Sequence, residues 1–217
     1  MDSCNIYKDI ELRTNGEIYI GVVGPVRTGK STLIKRFMDL MVLPNVEDGY
    51  EKQRIRDELP QSGSGKMIMT TEPKFVPAEA VELTLPGNAN LKVRMVDCVG
   101  YLVDEALGHS EEGVVRMVST PWNSEPMPFD QAAELGTEKV IRDHSTIGIV
   151  VTTDGSICGI DRESYIPAEE RVIDEFRQLK KPFAIVLNSR EPHSPAAIAL
   201  RAQLAERYEA PVVLADC

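Results

Sequence analysis

Long apolar runs are missing from this 217-residue chain. Nothing in it approaches the roughly 18 apolar residues that a membrane-spanning helix needs, which argues against direct membrane insertion. No basic segment followed by an apolar run is present near residue 1, so no secretory leader is read. Metal-site spacing is missing too. Cys4, Cys98, Cys158 and Cys217 are far apart, and His109, His144 and His193 are scattered. Without short paired spacings there is no zinc pattern, and the cysteines read as free thiols of a reducing cytoplasm. Positive charge is scarce: 24 Lys and Arg against 34 Asp and Glu give a net charge of −10. An acidic surface does not gather polyphosphate backbones, which argues against nucleic acid as the main partner and against bare anionic membrane. What is there is a globular composition, 42% hydrophobic and 27% charged, at a length that suits one α/β domain over residues 1–217.

The elements follow from periodicity. Residues 18–24 (IYIGVVG) are β-branched and apolar, as in a strand buried on both faces. A Gly-rich turn leads into 31–43, where Leu33, Ile34, Phe37, Leu40 and Met41 recur at helical spacing until Pro44. Residues 45–69, with the cluster QSGSGK, read as a long loop of the kind that is either functional or disordered. Segments 81–85 and 91–97 flank a Pro-Gly-Asn turn and predict a hairpin. The stretch 98–128 reads as a second, irregular and mobile loop. Beyond it, helices at 129–143, 167–180 and 195–208 alternate with strands at 146–153, 183–188 and 211–215. Strictly alternating strands and helices predict right-handed crossovers and a mostly parallel sheet with one antiparallel hairpin strand. The last strand lacks a following helix to cover it, which predicts a fragment of a longer protein.

The chemistry concentrates in Gly24-Pro25-Val26-Arg27-Thr28-Gly29-Lys30-Ser31, a match to the phosphate-loop pattern. Glycines let backbone N–H groups turn inward around a phosphate. Lys30 reaches the β- and γ-phosphates, Ser31 ligates Mg²⁺, and Thr32 completes the run of residues at the phosphates. Asp97 ends an apolar strand, where a carboxylate faces the ligand crevice of an α/β sheet and can hold the Mg²⁺ shell. Gly100, three residues on, lets a backbone N–H approach the γ-phosphate. Thr70 and Thr71 close the first long loop at the place where a threonine can sense the γ-phosphate, with Thr71 also a candidate for the metal. His144 reads as packed or capping, and Trp122 as a loop anchor.

Phosphate loop, loop threonine, hairpin and Asp-x-x-Gly follow one another as in translation-factor-like P-loop GTPases, which implies a three-layer α/β fold. The resemblance then narrows. GEIYIGVVGPVRTGKSTLIKRFMDLMVLPN, DELPQSGSGKMIMTTEPKFVPAEAVEL, VDCVGY, RMVSTPW, DHSTIGIVVTTDGSI and AEERVIDEF together resemble the stage IV sporulation protein A family, the ATPases that form the basement layer of the spore coat. The resemblance implies Mg²⁺-dependent ATP hydrolysis and self-assembly. It also implies spore coat partners, a membrane-associated adapter and a place at the outer forespore surface in the mother-cell cytoplasm. The family is longer than this chain.

Two positions depart from the GTPase pattern. Where a guanine-reading Asn/Thr-Lys-x-Asp would stand, the sequence has Asn188-Ser189-Arg190-Glu191. A misplaced hydrogen-bonding partner forfeits much discrimination, so guanine selectivity is lost and ATP is implied. Asn188 stays a nucleotide-site candidate. After Gly100 comes Tyr101, where many switch GTPases place a water-orienting Gln. Arg27 resembles the arginine that guanylate-binding proteins turn inward as a finger in cis. A GTP-dependent switch and a non-catalytic nucleotide-binding scaffold are the competing classes, separated by nucleotide selectivity and by phosphate release.

Overall fold

Alternate residues of β1 (Glu17–Val23) turn to opposite faces, and both faces are apolar: Ile18, Ile20 and Val22 join one buried cluster and Val23 the other. Such a strand must lie inside a sheet covered on both sides. A computed structural model, which describes residues 16–60, 72–85, 89–103, 110–111 and 114–217, places it there. The other strands of the main sheet are β2 (Lys74–Leu85), β3 (Ala89–Asp97), β8 (Ile147–Thr153), β9 (Phe183–Asn188) and β10 (Val212–Ala215). Two short pairs intervene, β4 (Ser110–Glu111) with β5 (Val114–Val115) and β6 (Met117–Thr120) with β7 (Asn123–Pro128).

The six-stranded sheet has the order β10-β9-β8-β1-β3-β2. Its neighbours are parallel except for the antiparallel pair β2–β3. The parallel register aligns the carboxyl ends of the inner strands. Val22 pairs with Asp97, Val23 with Val150, and Thr153 with Asn188. Those ends form one crevice, the usual ligand position in an open α/β sheet.

Five α-helices cover the faces among the described residues: α1 (Lys30–Phe37), α2 (Gly49–Glu58), α3 (Phe129–Lys139), α4 (Arg162–Gln178) and α5 (Pro195–Tyr208). Ile34 of α1 and Ile55 of α2 pack into one apolar cluster with Val22, Val76 and Met95. Val172, Ile173 and Phe176 of α4 pack into the other with Val150, Ile185 and Leu187. Two of these helices have side-chain caps at their N-termini. Asp48 accepts from the backbone N–H groups of Tyr50 and Glu51 at 2.7 and 2.8 Å, and Ser194 caps α5 through the N–H of Ala197. Among the described residues, no helix is long and apolar enough to cross a membrane.

The structure corrects several expectations. The stretch 45–69 is not loop throughout, because it contains α2. That helix buries only Ile55, so it carries almost no apolar periodicity to read. The hairpin strand starts at Lys74 rather than near 81, and a register shift between Val76 and Val81 interrupts its alternation. The region 98–128 holds two small hairpins where an irregular loop is expected. The helix expected over 31–43 is α-helical only to Phe37 and continues as a π-helical turn, Met38–Val42. Likewise α3 passes into a π-helical turn, Val140–His144. Helix α4 begins at Arg162, with Pro167 inside it. His144 packs edge-on against Phe75, ring centroids 5.7 Å apart, as expected of a packed residue. Trp122, half-buried at the β6–β7 turn, has the Lys139 ammonium 5.9 Å from its ring.

Candidate functional site

Between β1 and α1 the chain curls. Gly24, Arg27 and Gly29 have φ of 139°, 61° and 92°. The buried Thr28 hydroxyl donates to the Pro25 carbonyl at 3.0 Å and tightens the curl. Lys30 opens α1 and is 4% exposed, although the sequence pattern alone gives it no core contacts. Its Nζ donates to the Pro25 carbonyl at 2.6 Å and lies 3.5 Å from the Gly24 carbonyl. Burial pulls its pKa below the ordinary lysine value, against the opposing pull of Cys98 and Asp97. An anion beside it would restore the charge that burial disfavours.

Asp97 ends β3 directly across from the start of α1. Its Oδ2 accepts from the Ser31 hydroxyl at 2.7 Å, and its Oδ1 is buried with no hydrogen-bond partner among the described residues. Burial pushes the carboxyl pKa up, while the Ser31 hydrogen bond and the Lys30 charge pull it down. A buried carboxylate oxygen without a partner calls for an explanation. Beside a serine hydroxyl, a hard divalent cation supplies one: two oxygen donors of this kind fit Mg²⁺, with Ser31 and Asp97 as the residues that would hold it.

The segment after Asp97 is stitched to the phosphate loop. The Tyr101 N–H donates to the Gly24 carbonyl at 3.2 Å, and the Val26 N–H donates to the Tyr101 carbonyl at 2.9 Å. Gly100, at φ 95°, passes so close that a Cβ there would lie 2.1 Å from the Gly24 carbonyl oxygen and 2.6 Å from Lys30 Nζ. Only glycine fits. Its N–H donates to Thr137 Oγ1 at 3.2 Å. Tyr101 itself is 2% exposed and committed to α4. Its hydroxyl donates to Glu175 Oε1 at 2.5 Å, and the Arg171 guanidinium lies 4.0 Å from the ring centroid. Burial and the Glu175 partner hold that hydroxyl protonated far above the ordinary tyrosine range. Tyr101 is therefore an anchor for the segment in this structure, where the GTPase pattern has a glutamine that reaches for water.

At the other end of the crevice, Asn188 is also buried. Its Nδ2 donates to the Thr28 carbonyl at 3.0 Å, and its Oδ1 accepts from the Cys217 N–H at 3.0 Å. A Cβ on Gly29 would sit 2.3 Å from that Nδ2, so the glycine makes room for the carboxamide. Ser189 is buried, and its hydroxyl accepts from the Glu191 N–H at 3.0 Å. Arg190 folds away onto the 154–160 loop, donating to the Ile157 carbonyl at 3.2 Å through its side chain and to Ser156 Oγ at 3.0 Å through its backbone. Partial burial pushes the Asp154 carboxyl up, yet hydrogen bonds from Ser156 and Ser189 bring it below the ordinary value. Glu191 is exposed.

The residues singled out in sequence are thus distributed as follows. Gly24 to Ser31, Asp97, Gly100 and Asn188 converge at one sheet end, with Thr32 half-exposed on the first turn of α1. Arg27 is half-buried, and its carbonyl accepts from the Cys158 thiol at 3.3 Å. Thr70 and Thr71 lie outside the described residues. Sequence reasoning missed Thr137 and Asp154. Thr137 has no local signal, since its contact with Gly100 spans 37 positions. The Asp-Gly-Ser at 154–156, following an apolar strand, offers a faint one.

The sequence is similar to known proteins. The family model described as "Stage IV sporulation protein A, ATPase domain" matches residues 1–217. Curated proteins with the name "Stage IV sporulation protein A" are similar to it. The one from Clostridioides difficile (strain 630) is 63% identical over 209 residues, 96% of this chain. Those from Bacillus subtilis (strain 168) and Bacillus anthracis are 54% and 53% identical, each over 98% of it. The chain spans 43% of the length of each of these relatives.

Proposed function

The chain belongs to the stage IV sporulation protein A family, and from that premise we propose that it is a Mg²⁺-dependent ATPase domain. The observation that carries the reading is the Ser31–Asp97 pair with its unpartnered buried Oδ1, set at the end of β3 beside a buried Lys30. Lys30 binds the β- and γ-phosphates and offsets the charge that grows as the γ-phosphoryl leaves. Backbone N–H groups of the curled loop hold the remaining phosphate oxygens. Ser31 and Asp97 would hold Mg²⁺, which would supply neutralisation of phosphate charge. Water attacks in line, positioned by a threonine of the 70–71 pair, because Tyr101 is anchored elsewhere. Arg27 serves as a finger in cis. The sheet order and its single antiparallel pair support the translation-factor-like class of P-loop fold.

The base end supports ATP over GTP. Arg190 is folded onto the neighbouring loop, and Glu191, the one acid at 188–191, is exposed, so it does not supply the buried acid that guanine selection needs. In the full-length protein, hydrolysis drives self-assembly into a spore coat layer with coat proteins and a membrane-associated adapter, in the mother-cell cytoplasm at the outer forespore surface. The relatives' name supports the link to sporulation. Phosphate release from ATP and from GTP, measured side by side with Mg²⁺, tests the reading. Faster turnover of ATP is expected. Preferred turnover of GTP would favour a guanine-nucleotide switch, and no release from either would favour a scaffold.

A further inference from the structure

Thr137 is fully buried on α3 and meets the segment after β3 at two points: its Oγ1 accepts the Gly100 N–H at 3.2 Å and lies 3.8 Å from Cys98 Sγ. Its own hydroxyl hydrogen is spoken for, since Oγ1 donates to the Ala133 carbonyl at 2.8 Å. The oxygen is thus held as a fixed acceptor that cannot follow Gly100 if Gly100 turns. The distance lies at the long end of the N–H···O range, so the bond is of the weaker kind. Gly100 is also next to the ammonium of Lys30, because its hypothetical Cβ falls 2.6 Å from Nζ. A γ-phosphate neutralised by Lys30 therefore comes within the neighbourhood of the same N–H. A charged phosphate oxygen is a stronger acceptor than a neutral hydroxyl.

We propose that Thr137 is a positioning residue that competes with the γ-phosphate for the Gly100 N–H, and so sets how strongly the site prefers a nucleoside triphosphate to a diphosphate. The inference rests on the ATPase reading above. With a diphosphate bound, the N–H stays on Thr137. With a triphosphate, the N–H exchanges acceptors, and Thr137 Oγ1 keeps only its donated bond to Ala133 and the weak sulfur contact with Cys98. Losing a partner in a buried place is unfavourable, so wild-type Thr137 opposes triphosphate binding. Removing the acceptor lifts that opposition, and it also deprives the diphosphate state of the Gly100 bond. Both effects have the same sign.

The test compares affinities for Mg²⁺–imido-ATP, which has a non-hydrolysable β–γ bridge, and Mg²⁺–ADP, by competition with a fluorescent nucleotide on the full-length protein. Thr137→Val is expected to raise the imido-ATP-to-ADP affinity ratio about three- to tenfold. Thr137→Ser, which keeps the acceptor, is expected to keep the wild-type ratio. A purely structural role for Thr137 would shift both affinities together and leave the ratio alone. If Thr137→Val does not fold, Thr137→Ala removes the same acceptor without crowding the helix and reads the same ratio. A ratio within twofold of wild type in the folded Val or Ala variant overturns the inference while leaving the ATPase reading standing. Failure of the wild type to bind either nucleotide overturns both.

Discussion

At the phosphate end of the crevice, the contacts run between backbone groups and short side chains drawn from neighbouring strand ends: Ser31 with Asp97, Lys30 with Pro25, and Tyr101 with Gly24 and Val26. At the base end, the contacts run inward only as far as Asn188 and Ser189, and Arg190 and Glu191 face the neighbouring loop or solvent. The contrast shows where this fold keeps its tolerance. On the proposed reading, phosphate recognition rests on backbone geometry together with Lys30, and a substitution can scarcely retune the curl without breaking it. On the same reading, base recognition is a matter of side chains on a loop, which can change while Asn188 goes on holding the Thr28 carbonyl.

That contrast can be broken most severely at Lys30. Lys30→Ala is expected to lower ATP turnover about 10²–10³-fold or more, because the charge it offsets develops in the transition state. Single-turnover phosphate release measures it, and near-normal turnover would mean that the phosphate end is misassigned. Asp97 comes next. Asp97→Asn is expected to reduce Mg²⁺-dependent turnover about 10–100-fold. It also carries a pH signature. Burial raises the Asp97 carboxyl above the ordinary value, so the wild type loses the carboxylate, and with it Mg²⁺ affinity, at a higher pH on acidification than a solvated aspartate would. The fall runs downward in pH through that raised value, and it should be absent from the Asn variant in a Mg²⁺ titration. A shared acid limb in both proteins would assign it to another group.

The smallest effects sharpen the comparison instead. Asn188→Ala removes the brace on Thr28 and should weaken ATP and GTP about equally, some five- to tenfold, because it acts through the phosphate loop. Glu191→Ala should leave both affinities within about twofold, as for an exposed side chain. A selective loss of GTP binding in either variant would show that the base end still reads guanine.

The curl from Gly24 to Ser31 and its meeting with Asp97 were legible in sequence for a physical reason. The curl's residues are contiguous from Gly24 to Ser31, and Asp97 closes a strand whose apolar run is plain. The order of strands and helices after residue 128 was legible because each helix buries several residues at regular spacing. Helix α2 was not, since a polar helix with Ile55 as its single buried residue has no stripe to detect. The true start of β2 was hidden because the shift between Val76 and Val81 breaks the period of two. Tyr101 was legible as a departure from the glutamine pattern, but its burial depends on α4, whose Glu175 lies 74 positions away. Thr137 was illegible for the same reason: what matters is where packing brings its oxygen, and no neighbouring residue announces that.

Trp122 is the sole tryptophan of the 217 residues. It lies where β6 turns into β7, half-buried, with a cation from α3 beside its ring. Light absorbed selectively by indole therefore interrogates one turn of one hairpin and nothing else in this chain. Emission from such a ring shifts with the field of the nearby ammonium and with its access to water. The chain has a native optical probe at the junction of that hairpin with α3, and a change in its colour or quenching can be read without attaching a label.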